Sequence, residues 1–198
     1  MSRQFTPNEP LTRWDGNRNM ILAEDFRYTD KNGRNWDAPS RSTINGETIP
    51  KFVWSRVGSP YVGCYRRASI VHDVAVGEFD PPTASNRREA DRMFYDACRA
   101  GGCSVAKSLV LYSGVTFGRW AAAFSSSTGE EELIPKSIEE EGLAESAEFS
   151  VEDQMAEEMF DEMLADPEMD MIMETEDLDA LDALIEKHKA MQTERRGG

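Results

Sequence analysis

Two periods of apolar and polar residues divide the chain. In the first third the segments are short: LTRW (residues 11–14) and NMILAEDFRYTD (19–30) read as strands, and RNWDA (34–38) as a returning strand. DKNG (30–33) lies between the last two, and its Asn-Gly pair tolerates the positive φ of a tight turn, so the reading is a hairpin. STINGETIPKFVW (42–54) follows, with a turn at Asn45-Gly46, a helix start at Pro50, and Phe52, Val53 and Trp54 as apolar filling. GSP (58–60) then punctuates the chain.

From there the period lengthens to that of helices. Over roughly 63–76, Tyr65, Ala68, Ser69, His72, Ala75 and Val76 share one face, which turns His72 inward. After a loop at 77–85, Ser85 is placed as the cap of a second helix with the stripe Ala90, Met93, Phe94, Ala97 and Cys98, ending near Gly101-Gly102. Ser104 is placed as the cap of a third, carrying Val105, Leu109, Tyr112 and Val115. SSSTG (125–129) is a break in composition. Beyond it, Ser150 heads a helix with Met155, Met159, Phe160 and Met163 on one side, stopped by Asp166-Pro167. A further helix, with Thr175 as its cap, carries Leu178, Leu181, Leu184 and Ile185, and sets Lys187 and Lys189 near its C-terminal end, where the helix dipole favours positive charge. The expected fold class is α+β: a small N-terminal hairpin or sheet packed on a three-helix body, then an acidic helical extension. The boundaries are an arm at 1–17, the body at 18–124, a linker at 125–149 and the amphipathic tail at 150–198.

Charge sharpens that division. Residues 1–125 hold 17 Lys+Arg against 13 Asp+Glu, and residues 126–198 hold 5 against 24. Such a tail repels phosphates and lipid headgroups and attracts a basic surface over about 8 Å at physiological salt. Direct nucleic-acid binding is not expected, nor is a membrane, since no run approaches the roughly 18 apolar residues that cross one. Seven of the ten methionines lie in the tail. Polarizable, flexible Met side chains suit adaptable contact, so Met155, Met159, Phe160, Met163, Leu178, Leu181, Leu184 and Ile185 are the candidate binding residues, docking on a protein partner with a basic or apolar groove. Three cysteines, Cys64, Cys98 and Cys103, are an odd number with no apolar leader before them, which points to reduced thiols in a cytoplasm.

Candidate chemistry centres on His72. An antiparallel pair of helices would set it against Asp91, and a carboxylate there fixes the tautomer and raises the basicity of an imidazole acting on water. Asp73, about 100° further round its helix, would hold a cation or pair with an arginine. The competing reading is a satisfied polar knot that fixes how two helices pack. No zinc set is formed by Cys64, His72, Cys98 and Cys103, which lack C-x-x-C spacing. Neither a Walker A loop, G-x-G-x-x-G nor G-x-S-x-G occurs, and EMDMIMETED lacks the glycine of a calcium loop. No cofactor and no metal are expected.

The succession DFRYTDKNGRNWDAPSRSTINGETIP, Trp54, YVGCYRRASIVHD and SNRREADRMFYDACRAGGCSVAKSLVLYSGVTFGRW resembles the phage and prophage family known as domain of unknown function 1353, over roughly residues 18–120. Its most specific part is a His-Asp pair followed by R-x-x-A-D-x-x-F, here His72, Asp73, Arg87 or Arg88, Ala90, Asp91 and Phe94. Two features depart from the family pattern: in the loop, Asn45 and Glu47 stand where an acid and a small residue are usual, and HDVAV lacks the aromatic that follows the pair. The helix-borne His-Asp step is also similar to that of secreted phospholipases, without their disulfides. The resemblance implies a bacteriophage-encoded protein with a compact α+β domain, the tail being an addition. Three functional classes follow, in this order: a structural or accessory protein acting by protein–protein contact, other phage proteins among its partners, in the host cytoplasm or the virion; a hydrolase using His72, Asp91 and Asp73; and a counter-defence protein whose tail imitates nucleic-acid charge.

Overall fold

The computed structural model describes residues 3–15, 20–44, 49–59, 62–77, 83–128 and 151–197. The expected turn at Asn45-Gly46, the departure at Glu47, the cap at Ser150 and most of the 125–149 linker lie outside these residues.

The fold is α+β, with two antiparallel three-stranded sheets among the described residues. One has β1 (Gln4–Thr6), β4 (Phe26–Thr29) and β5 (Asn35–Ala38), with β4 central; the other has β2 (Thr12–Trp14), β3 (Met20–Leu22) and β6 (Thr43–Ile44), with β3 central. Alternation sets the inward faces: Phe5, Phe26, Tyr28, Trp36 and Ala38 are buried between exposed neighbours. Phe5 stacks on Phe26 at 5.7 Å between ring centroids. The hairpin falls where expected, with Gly33 at φ 83° and the Asp30 carboxylate accepting from the backbone N–H groups of Asn32 and Arg34. The run 19–30 is not one strand, however. It bends after Leu22, where the backbone N–H of Ala23 turns to the carbonyl of Leu11, and hands the chain from one sheet to the other. β1, inside the expected arm, was hidden by its polar flanks.

The body helices are α1 (Lys51–Val57), α2 (Arg66–Gly77), α3 (Ala84–Ala100) and α4 (Val105–Thr128). Thr83, not Ser85, caps α3, accepting from the N–H of Asn86 at 3.1 Å. Ser104 does begin α4, accepting from the N–H of Lys107 at 3.2 Å. α4 continues through the serine-rich stretch to Thr128, past the expected end of the body. Two glycines one turn apart make its groove: a Cβ on Gly114 would overlap the Val53 side chain and one on Gly118 the ring of Pro50, so α1 lies against bare backbone.

The expectation of reduced thiols is corrected. Cys64 and Cys103 form a disulfide across a separation of 39 residues, and only Cys98 is free and buried. Odd parity could not reveal this, because one cysteine of three is simply a core residue. Gly101 makes the approach possible: a Cβ there would collide with the Cys64 carbonyl.

The tail holds three helices, not two: α5 (Val151–Leu164), α6 (Glu168–Thr175) and α7 (Leu178–Gly197). Asp166 ends α5 and accepts from the N–H of Glu168 at 3.0 Å. Thr175 closes α6 rather than capping α7; Asp177 is that cap, accepting from the N–H groups of Asp179 and Ala180. α6 lies in the acid-rich run EMDMIMETED, yet its Met169 and Ile172 are buried.

The tail's apolar stripes are not open to a partner. Met155, Met159, Phe160, Met163, Leu181, Leu184 and Ile185 are buried in one core with Phe52, Val53, Leu111 and Phe117, while Leu178 packs at its edge. Phe160 meets Phe52 and Phe117 edge-on, at 5.5 and 6.3 Å. The groove that the stripes seek is the chain's own α1/α4 face. Docking within one chain covers that face without the translational and rotational cost of holding a second molecule.

Candidate functional site

His72 and Asp91 meet as their helical faces require. His72 is on the inward side of α2, Asp91 on the facing side of α3, and Nε2 of His72 lies 3.0 Å from Oδ1 of Asp91. Both side chains are 1% exposed. The imidazole lies against the Phe94 ring, 4.7 Å between centroids, one turn along α3 from Asp91. The other carboxylate oxygen, Oδ2, holds Nη2 of Arg119 at 2.5 Å. Burial by itself pushes the Asp91 carboxyl up, but hydrogen bonds and charge from His72 and Arg119 outweigh it and hold the carboxyl below the usual range.

This constellation is a knot with one open end. A general base needs room for water on the imidazole, and His72 has essentially none. Asp73 is half-buried, and among the described residues no three His, Cys, Asp or Glu side chains converge as a cation would require. Arg119 is the open end, with a side chain 29% exposed. It faces a cleft of about 1030 Å³ bounded by α3, α4 and α7, in whose wall Asp91, Tyr112, Thr116 and Trp120 also lie. Sequence reasoning missed Arg119. The signal was present in the spacing Tyr112, Thr116, Arg119, which sets a cation on the inward face of α4.

A second feature was missed as well: the basic partner of the acidic helices lies on the same chain. Arg56 of α1 reaches Glu157 at 3.1 Å and Asp161 at 2.5 Å on α5. Arg88 and Arg92 of α3 both lie 2.5 Å from Asp182 of α7, which also accepts from the Tyr112 hydroxyl. Arg92 reaches Asp179 at 2.5 Å, and Arg99 and Tyr95 meet Glu176 at 3.3 and 2.8 Å. These contacts are half-exposed at their outer members, so they orient the tail more than they hold it.

Among the described residues no helix is long and apolar enough to cross a membrane. Comparison with known proteins bears on the body. Two uncharacterized proteins of Sinorhizobium fredii (strain NBRC 101917 / NGR234) are similar: y4jT, 34% identical over 98 residues, and y4iH, 33% identical over 102. The matched stretch is 49% of this chain and 28% of y4jT, and 50% of this chain and 41% of y4iH, so the chain spans less than half the length of either. No solved structure matches significantly. The family model described as protein of unknown function (DUF1353) matches residues 20–115. That segment, which carries His72, Asp73, Ala90, Asp91 and Phe94 on α2 and α3, is therefore a match to the DUF1353 family.

Proposed function

We propose that the chain is a bacteriophage-encoded structural or accessory protein that acts by protein–protein contact and is carried in the virion. The observation that carries this reading is the outer face of α6, where Met171 is 57% exposed between Asp170 and Glu174, two acids with no basic partner among the described residues. An exposed thioether set among unmatched carboxylates is the surface a basic groove with an apolar floor would take. The partner then meets the outer face of the tail, its inner stripes being occupied. The Cys64–Cys103 disulfide supports a final location outside a reducing cytoplasm, as on a particle. The hydrolase reading loses ground because His72 is sealed, and the nucleic-acid mimic because many tail carboxylates are matched by arginines of the body.

The test is sedimentation. Particles purified after induction and probed for the chain should carry it, and Asp170→Lys with Glu174→Lys should release it into the supernatant. A chain that stays soluble at every stage of assembly would end this reading.

A further inference from the structure

The cleft between α3, α4 and α7 offers a site that contact through α6 does not use. Its volume of about 1030 Å³ is at the upper end of the range for small-molecule sites, roughly 300–1,000 Å³. Each of the four carboxylates in its wall is already matched by a cation. One cation is not matched: Arg87 lines the cleft and is half-buried, and its guanidinium has no side-chain partner among the described residues. With Arg92, which reaches Asp179 from beside the cleft, five cations meet four carboxylates among the described residues, and Arg87 is the surplus one.

Arg87 precedes Asp91 by four residues, so the two share a face of α3 one turn apart. Asp91 in turn holds Arg119 at 2.5 Å, and its other oxygen is fixed by the buried His72. Two guanidinium groups are thus offered along one wall. Arg119 has five N–H donors, and the side chain reaches the cleft with its Nη2 edge anchored behind. Trp120, Ala123 and, from α7, Ala183 line the same cleft with apolar surface.

We infer that this cleft binds a small amphipathic anion. One carboxylate or phosphate group is bridged by Arg87 and Arg119, and an aliphatic or aromatic body lies on Trp120 and the alanines. A polyanion is excluded by the acidic rim of Asp179 and Glu186, whose side chains are 81% and 71% exposed.

Calorimetric titration of the full chain with decanoate and decyl phosphate tests this, with decanol, inorganic phosphate and pyrophosphate as controls. Saturable one-to-one binding is expected for at least one of the two amphipathic anions, and the tighter of them identifies the head group. Decanol and pyrophosphate should bind at least about tenfold more weakly. Arg87→Gln should weaken the anion by about tenfold while the melting temperature stays in place, since no side chain loses a partner. Arg119→Lys, which keeps a charge for Asp91 but removes the fork, should weaken it similarly. Absence of saturable binding by either anion, equal binding of decanol, or parent-like affinity in Arg87→Gln would each overturn the inference.

Discussion

At the scale of single residues the decisive group is Asp91, because a buried carboxylate is tolerable only while both oxygens are occupied. Asp91→Ala leaves an imidazole and a guanidinium without their acceptor, and should cost about 3–5 kcal/mol in denaturant unfolding. His72→Ala should cost about 2 kcal/mol. A loss below about 1 kcal/mol in both would show that the pair is kept for something other than packing. The pH dependence has a definite sign. The folded carboxyl titrates below its ordinary value of 3.8, so its contribution is complete above that value and is lost as pH falls through the lower folded one. Asp91→Asn should flatten that acid limb. His72 and Asp91 were legible together in the sequence, because each occupies the inward side of a periodic stripe. Their burial was not, since spacing says which way a side chain points and nothing of what lies beyond it.

At the scale of elements, α1 through α4 are joined by close approaches and by one covalent link. The disulfide between Cys64 and Cys103 ties the start of α2 to the turn before α4. For a closed loop of that length the chain-entropy argument gives about 4 kcal/mol. Reduction, or Cys64→Ser with Cys103→Ser, should therefore lower the unfolding free energy by about that much. Equal midpoints with and without reductant would show that the bond adds nothing. Helix positions in α2, α3, α5 and α7 were legible because apolar residues recur there every three or four positions. Three things were not. The β3–β4 bend carries no Gly or Pro to announce it; α6 buries only Met169 and Ile172 among carboxylates; and the small residues Gly114 and Gly118 mark a helix-packing groove only once α1 is known to lie there.

At the scale of the molecule, the two halves of opposite charge close on one another. One core runs from Phe26 and Tyr28 through Phe52 and Phe117 to Phe160 and Leu184, so body and tail should unfold together. Phe160→Ala should cost about 3–5 kcal/mol. The loss should register equally in tryptophan fluorescence, since all four tryptophans lie ahead of the tail, and in far-ultraviolet circular dichroism. Two separate transitions would show that the tail is an independent unit. Charge asymmetry was plain in the sequence, but whether acidic helices seek a partner in another molecule or in their own is set by where four arginines of α1 and α3 fall in space. The internal pairing also has a consequence in time. A ribosome delivers α1 and α4 well before α5, and α7 later still. Until then Phe52, Val53 and Phe117 have no cover. A message cut short or a stalled ribosome would leave that face bare on every copy, and such fragments should stick to one another and be degraded. Completing the chain is what makes its earlier half safe to release.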